Sequence, residues 1–581
     1  GASETAPSSR NSLPLRLLAT AVGMSALSLL LSGCHSGSGA PRITPTSLPA
    51  ATAFGPRFVD VAAQAGLDYR WVIAGKRPLN ILQTIGNGCA FLDYNGDGNL
   101  DILLVGPKVA LYRGDGRGHF TDVSRETGLS KLQGQFLGCA VGDYDNDGLP
   151  DIYLSGYRTG LLLHNDHGKA FSDVTRAAGL QAQPWGTSCA WAETVPGSGK
   201  LDLFVSNYAR FETGHGIPQL CESRGIMTSC GPRFYTPLRG AFYRNLGAGR
   251  FVRADQAFAM PTTHGRGLGA GFAPLDASGR PALAIANDEL PGDLLAPSGQ
   301  DKAARYVNSG ASSGIAGDRD GNIHGGMGMD WGDYDNDGQM DLFVATFQGE
   351  AKSLYHNDGN GGFTDVTYRA ALAEATMPNV AFGCKLFDYD NDGALDLIIA
   401  NGHVQDNIHA IDSSASYRQA TQLFHNRNNT PAAFENVSLT AGKDIQRPIV
   451  GRGLAVGDFD NDGRVDVLVV DSEGAPLLLH NETMGTGHWL GIKLVGTHSN
   501  RSGIGALITV TIGGRKLVRL CHADGSYLSS SDLRVHFGLG HASRVDTLTV
   551  RWPSGKTDVV KDLAADRYLT LTEGGKITAF P

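Results

Sequence analysis

Short apolar runs rich in β-branched and aromatic side chains recur along most of the chain: DILLV (101–105), DIYLS (151–155), DLFVA (341–345), DLIIA (396–400) and DVLVV (466–470). Each has the length and composition of a strand. Each is entered through an acidic loop, as in FLDYNGDGNLDILLV (91–105), VGDYDNDGLPDIYLS (141–155), WGDYDNDGQMDLFVA (331–345), LFDYDNDGALDLIIA (386–400) and VGDFDNDGRVDVLVV (456–470). Two eroded copies, AETVPGSGKLDLFVS (192–206) and PLDASGRPALAIAND (274–288), complete the series. The copies begin at Asp93, Asp143, Glu193, Asp276, Asp333, Asp388 and Asp458. That is roughly one unit every 60 residues, within the range of repeat architectures. A second element follows most copies: LYRGDGRGHFTDVS (111–124), LLLHNDHGKAFSDVT (161–175), FYRNLGAGRFVRA (242–254), LYHNDGNGGFTDVT (354–367) and LFHNRNNTPAAFENVS (423–438).

Each unit therefore reads strand, acidic loop, strand, strand, turn, strand. Seven such units predict an all-β chain and a seven-bladed β-propeller over 56–484. The last unit ends at LLLHNET (477–483) without its F-x-D-V strand, and an orphan copy, Phe58-Val59-Asp60-Val61, stands before the first unit. A strand over 58–62 is thus expected to complete the last blade and seal the ring, leaving no open sheet edge.

Four loops carry D-x-D-x-D-G-x-x-D: Asp143, Asp145, Asp147 and Asp151; Asp333, Asp335, Asp337 and Asp341; Asp388, Asp390, Asp392 and Asp396; Asp458, Asp460, Asp462 and Asp466. The first carries Asp93, Asn95, Asp97 and Asp101. Two carboxylates held 5 Å apart repel by about 3 kcal/mol at an effective dielectric near 20. Four in one tight loop call for a cation. Oxygen donors at alternate positions, with no His or Cys inside the motif, suit Ca²⁺, which takes six to eight oxygens. The glycine at the sixth position permits the sharp turn. The residue after it (Asn99, Leu149, Gln339, Ala394, Arg464) is expected to offer its carbonyl. A helix-flanked calcium loop would end in a Glu at position 12, whereas here an Asp at position 9 leads straight into a strand. The expectation is about five structural Ca²⁺ sites. The loops at Glu193 and Asp276 have lost most ligands and are expected to bind nothing.

This unit resembles the FG-GAP/VCBS repeat of integrin α-chain propellers and many bacterial surface proteins, over about 91–482. After Met484 the repeat stops. New short strands (HWLGIKLVG, ALITVTI, KLVRLCH, LRVHFGLG, RVDTLTVRW, RYLTLTE) predict a small β-sandwich or barrel over 485–581. The segments SNRSGIGA (499–506), GSYLSS (525–530), HFGLG (536–540) and WPSG (552–555) look like an ASPIC/UnbV domain. That domain follows FG-GAP-type repeats in the cartilage acidic protein family and its bacterial relatives. The resemblance implies architecture and calcium more than chemistry; the vertebrate relatives are extracellular matrix proteins.

Composition agrees: Gly is 78 of 581 residues, and charged residues are 18%. These values exclude a disordered tail, a coiled coil and a polytopic membrane protein. A formal charge of −9 disfavours nucleic acid as a partner. At the start, Arg10 and Arg16 precede the apolar run LLATAVGMSALSLLL (17–31), which is too short for a comfortable span and matches a secretory signal. It ends in Leu31-Ser32-Gly33-Cys34, which resembles a lipobox. Residues 1–33 are therefore expected to be a lipoprotein signal, Cys34 the lipidated residue and 34–55 a flexible tether. This places the chain in a bacterial cell envelope, anchored to a membrane, at the outer membrane or cell surface.

An insert of roughly 25 residues separates the third and fourth copies, and surface inserts of this kind carry specificity. It holds Cys221 and Cys230, nine apart, an expected disulfide in an exported protein. With the loop around 404–420 it is expected to crowd one rim of the disc. Cys89, Cys139, Cys189 and Cys384 each stand four residues before their loop, a pattern of repeated buried apolar sites; Cys521 reads as a lone buried thiol. Arg113-Gly114-Asp115 falls in a repeat turn. His164, His356, His425 and His480 recur in that turn and read as structural polar residues. His522, His536 and His541, with Asp524, Ser526 and Ser529–Ser531, cluster without a nucleophile elbow, phosphate loop or zincin motif beside them. No catalytic or cofactor-binding residue is assigned. The sequence favours an extracellular interaction or adhesion module for a protein or glycan, with no chemistry of its own. Its rivals are a polysaccharide lyase or hydrolase on a calcium-stabilised propeller and an accessory protein for assembling or exporting a product.

Overall fold

The computed structural model describes residues 55–212, 216–299, 305–428 and 433–580. The expected signal segment, Cys34 and most of the tether lie outside them. Among the described residues no helix is long and apolar enough to cross a membrane.

The units form seven antiparallel blades. Blade 1 runs Cys89–Leu92, Asp101–Leu104, Ala110–Gly114, Phe120–Asp122, in chain order from the axis outward. Blades 4, 5 and 6 repeat this order, with inner strands Gly267–Pro274, Met329–Gly332 and Ala381–Phe387. Blade 7 takes three strands from the last unit (Gly451–Gly457, Asp466–Asp471, Leu477–Asn481) and its outer strand, Phe58–Asp60, from the start of the chain. There Phe58 pairs with Asn481 and Asp60 with Leu479. Each inner strand packs on the next, and the seventh packs on the first, so the ring is closed.

Blades 2 and 3 depart from the expected plan. The second and third strands of blade 2 are one continuous strand, Asp151–Asp166. Its middle reaches across to blade 3's inner strand, Gln183–Ala192, through Tyr157↔Trp185 and Thr159↔Gln183. A single sheet therefore joins the two blades. The segment between the apolar ends, YRTG (157–160), has no turn of the kind that separates these strands elsewhere.

Every blade is sandwiched between two others, so its strands are apolar on both faces. Ile102, Leu104 and Tyr112 pack on Leu468 and Val470 across the blade 1–blade 7 seam. Leu103 and Leu111 pack on Val141 and Leu154 across the next seam. Each such side chain, fully buried, contributes about 1.5–3 kcal/mol. The four phase-locked cysteines and Cys521 are all buried free thiols.

Residues 488–579 form a β-sandwich of two four-stranded sheets. In one, His488–Val495 pairs parallel with Arg567–Thr572. The sheets close on a core of Leu490, Ile492, Val510, Phe537, Leu548 and Trp552. The segment 524–532 leaves this sandwich and threads the propeller axis. Cys89 N–H donates to Ser529 Oγ (3.1 Å) in blade 1 and Val141 N–H to Ser530 Oγ (3.1 Å) in blade 2. In blade 3, Leu528 N–H donates to Ser188 Oγ (3.0 Å). Phe272 N–H of blade 4 donates to Asp524 Oδ2 (3.1 Å), and Met329 N–H of blade 5 to the Ser526 carbonyl (3.0 Å). Cys384 N–H of blade 6 donates to Ser526 Oγ (3.3 Å), and Val456 N–H of blade 7 to Ser531 Oγ (3.1 Å). One nine-residue stretch thus bonds to the inner strand of all seven blades. Ser and Asp supply side-chain acceptors where no neighbouring strand could. The requirement for φ near +56° at Ser526 and +57° at Leu528 shows how sharply the segment must turn to do so.

Candidate metal loops and the insert-roofed mouth

The acidic loops follow the inner strands, and their fold explains their sequence. The first carboxylate caps the turn: Asp388 Oδ2 accepts from Gly393 N–H at 2.8 Å, and Gly393 sits at φ +89°, where a side chain would be strained. The position-5 carboxylate accepts from the amide two residues on, as Asp147 does from Leu149 (2.9 Å) and Asp337 from Gln339 (2.8 Å). The position-9 carboxylate opens the second strand and ties two strands together. Asp341 Oδ2 accepts from Tyr334 N–H (3.2 Å) and its Oδ1 from Asn357 N–H (2.8 Å). Asp101, Asp151, Asp396 and Asp466 repeat this pair of bonds.

The carboxylates converge. Ligand atoms of Asp143, Asp145 and Asp147 lie within 4.8 Å of one another. Burial pushes position 9 far up: Asp101 to about 8, Asp151 to about 9, Asp341 and Asp396 to about 7. Burial likewise raises Asp143 and Asp458 to about 7 and Asp333 to about 8. Asp333 Oδ1 and Asp460 Oδ1 are buried with no hydrogen-bond partner. Carboxyls held close together, disfavoured as bare anions by their burial and with unspent acceptors, are a donor set for a hard divalent cation.

The structure adds a residue type that the motif itself lacks. A histidine of the third strand faces the loop in four blades: His164, His356, His425 and His480. His164 Nδ1 stands 3.3 Å from both Asp145 Oδ2 and Asp151 Oδ1. His356 Nδ1 stands 3.4 Å from Asp335 and 3.3 Å from Asp341; His425 Nδ1 stands 3.6 Å from Asp390 and 3.2 Å from Asp396. His480 presents Nε2, 3.1 Å from Asp460. The sequence presents these histidines as periodic structural polar residues of the repeat turn. Each precedes the Asn whose amide bonds the position-9 carboxylate, and that bond brings the ring to the loop. The signal available was the His-Asn dipeptide, confined to units whose loops keep all four Asp. In blade 7 Arg464 also turns its guanidinium onto Asp462.

The eroded loops are wired differently. Glu193 accepts from Gly199 N–H (3.0 Å) and from Asn500 N–H (2.7 Å) of the sandwich. The carbonyl of Asp276 accepts from Arg551 (3.2 Å). The sandwich reaches the intact loops too: Lys493 lies 3.7 Å from Asp93, Asp143 N–H donates to Ser502 Oγ (3.4 Å), and Tyr568 OH donates to Asp458 Oδ2 (2.7 Å). Gly540 N–H donates to Asn391 O (2.8 Å), and Arg519 approaches Asn336 (3.5 Å). The loop face of the ring is therefore the face the second domain covers.

The inserts lie at the other end of the inner strands. A hairpin, Leu220–Ser223 and Ile226–Ser229, is followed by Cys230, which is disulfide-bonded to Cys221. It meets the 404–420 loop: Thr228 Oγ1 donates to Asn407 Oδ1 (2.8 Å), and Asn407 Nδ2 to the Met227 carbonyl (2.8 Å). Beneath them is a cavity of about 270 Å³ with Ile85, Leu268, Met327 and Phe382 on its floor and Asp288 and Glu350 on its wall. Tyr527 of the threading segment backs that floor, donating to the Ile85 carbonyl (2.8 Å) and packing edge-on to Phe382. Asp288 is pushed up to about 7 by burial, although the Tyr208 hydroxyl donates to it at 2.6 Å.

The other candidates resolve into structure. Asp115 of Arg113-Gly114-Asp115 accepts from Arg117 N–H (2.8 Å) and His119 N–H (3.1 Å), closing a turn. His522 pairs with Asp524 (3.0 Å), but the serines beside them are bonded to propeller backbone. His536 meets Asn391 (2.6 Å), and burial drives it down to about 3.

Comparison with known proteins matches the FG-GAP-like repeat over 93–154, 333–399 and 388–469, and the ASPIC and UnbV domain over 496–578. The chain is 24% identical to cartilage acidic protein 1 of Mus musculus over 413 residues, covering 69% of this chain and 56% of that one. It is 24% identical to the Homo sapiens protein over 396 residues, covering 66% and 53%. It thus spans about half the length of the curated relatives it matches. Among solved structures, an Agrocybe aegerita lectin that recognises non-reducing terminal N-acetylglucosamine is 13% identical, covering 71% of this chain and 88% of that one at a TM-score of 0.37. YCF48 bound to a D1 peptide is 11% identical, covering 74% and 99% at 0.36. Likenesses this loose carry no argument about ligands.

Proposed function

With FG-GAP-like repeats followed by an ASPIC and UnbV domain, the pairing that matches this chain to a cartilage-acidic-protein-like family, we propose that it is an exported, lipid-anchored, calcium-binding propeller that serves as an extracellular interaction module. Its partner is a protein or a glycan. The five intact loops hold structural Ca²⁺ through the carboxylates named above, and Cys34 carries the anchor.

The observation that carries this reading is the division of the ring into two faces. The second domain occupies the loop face and fills the axis, while the two inserts roof a cavity at the opposite mouth. Recognition is assigned to that mouth, because variable surface loops on a rigid scaffold carry specificity. The test is a glycan array and a protein pull-down with the calcium-loaded chain and with a chain lacking 216–231. Binding lost with the insert supports the assignment; binding that survives its removal refutes it. A polysaccharide lyase or hydrolase is the second reading, favoured by the buried carboxyl of Asp288 beside Tyr208 in that cavity. Turnover of a polysaccharide that disappears in Asp288→Asn would establish it in place of pure recognition.

A further inference from the structure

We propose that the loops of blades 2, 5, 6 and 7, read above as calcium sites, are mixed carboxylate–imidazole sites that bind a divalent first-row transition ion, manganese or zinc, more tightly than Ca²⁺, with His164, His356, His425 and His480 as nitrogen ligands. The blade 1 loop is an oxygen-only calcium site. This rests on the reading of the loops as cation sites and adds a ligand and a selectivity to it.

Three observations carry it. First, the ring nitrogens of His164, His356 and His425 lie 3.2–3.6 Å from two carboxylate oxygens at once. Adjacent ligand atoms about 2.1–2.4 Å from one ion, at roughly right angles, are separated by just such distances. Second, those three Nδ1 atoms and His480 Nε2 are buried and make no hydrogen bond of good geometry, and the fully buried Asp333 leaves Oδ1 unpartnered in the same loop as His356. An imidazole nitrogen left without a partner beside anionic oxygens is an unused ligand.

Third, histidine tracks the loop. Every loop with four Asp has it. Where blade 1 substitutes Asn95, the equivalent residue is Arg113, and where blade 3 has lost its ligands it is Arg244. The equivalence is set by register: Gly114 N–H bonds Asp101 as Asn165 N–H bonds Asp151, and Asn245 N–H bonds Asp202 in the same way. A guanidinium has no lone pair to offer a metal. One imidazole among carboxylates raises affinity for transition ions relative to Ca²⁺, which prefers oxygen alone.

The full chain, stripped with chelator, is titrated separately with Mn²⁺ and Ca²⁺ by calorimetry, and bound Mn²⁺ is examined by pulsed electron paramagnetic resonance for coupling to ¹⁴N. Wild type should show four nitrogen-coupled Mn²⁺ ions. The variant with all four histidines changed to Gln should lose the coupling and bind Mn²⁺ at least about tenfold more weakly, the loss that removing even an outer-shell partner brings, while keeping its Ca²⁺ stoichiometry. Arg113→His should create a fifth coupled site. If the fourfold variant does not fold, His356→Gln alone should reduce the coupled ions from four to three. Wild-type Mn²⁺ without nitrogen coupling, or unchanged Mn²⁺ affinity in the variants, overturns the proposal and leaves calcium binding intact. Absence of binding by either ion overturns the loop reading beneath it as well.

Discussion

The main-chain N–H of Cys139, on the inner strand of blade 2, donates to the carbonyl of Leu528 at 3.1 Å, joining residues 389 positions apart. It is one of a set of such bonds. A chain truncated after Met484 leaves inner-strand amides of six blades without their acceptors and Ser188 of blade 3 without its donor, at about 1–3 kcal/mol for each buried group. The total is comparable with the roughly 5–15 kcal/mol by which domains are stable. The truncated propeller should show no cooperative thermal transition; a sharp transition close to that of the full chain would show the segment to be dispensable.

Chelation should lower the melting temperature of the full chain by about 10 °C or more. Each saturated site contributes about 2.7 kcal/mol when the ion is at a hundred times its Kd. Asp396, fully buried and bonded by both Tyr389 and Asn426 amides, is the sharpest single probe. Asp396→Asn should remove one ion from the stoichiometry measured by atomic emission and lower stability by about 3 kcal/mol.

Gly463 has φ +85°, and a Cβ there would lie 1.9 Å from Trp489 Cε2 in the sandwich. Gly463→Ala must therefore displace the indole, which packs on His536 and Tyr568. Destabilisation of about 1–3 kcal/mol is expected. Hydrogen exchange should locate it at 488–495 and the blade 7 loop rather than across the ring.

His403 is buried at the 404–420 loop. Its Nδ1 accepts from Gln405 N–H (3.0 Å), its carbonyl accepts from Arg452 (3.1 Å), and burial, then the Arg452 charge, lowers it to about 4. Folding thus favours the neutral ring. The stabilisation is complete above the unfolded value near 6.5 and is lost as pH falls towards 4, by roughly 3 kcal/mol in all. Denaturant midpoints of the wild type should drop across that window more steeply than those of His403→Gln. Equal slopes would assign the acid lability to other groups.

Cys221–Cys230 closes a nine-residue separation over the cavity. Bridges of that loop size contribute about 2–4 kcal/mol. Because the hairpin is peripheral, reduction should open the insert to protease at 216–231 while leaving the global melting temperature nearly unchanged.

The blades were legible because their chemistry is local. Asp93 to Asp101 fall within nine residues and the following strand within five more, so spacing alone displays the unit. The closing strand was legible for the same reason: Phe58-Val59-Asp60-Val61 copies a motif seen elsewhere. The threading segment was not. Nothing in GSYLSS (525–530) marks it as the partner of Cys89 or Ser188, since those contacts are set by how two finished domains dock. The fusion in blade 2 depends on the absence of a turn at 157–160, a negative signal. The histidines were visible as a pattern, but their approach to the loops comes from register between second and third strands, which sequence periodicity does not display.

Phe58–Asp60 is both an early part of the described chain and the outer strand of blade 7. During synthesis that strand must wait, unpaired, until residue 481 exists, and the axis cannot be filled until residue 532 has emerged. The molecule therefore cannot mature blade by blade in the order it is translated. Until residues 481–532 are made it carries an unfilled sheet edge and inner strands without their axial partners, a species prone to stick to itself. Such a chain completes its fold only once both domains are present in full.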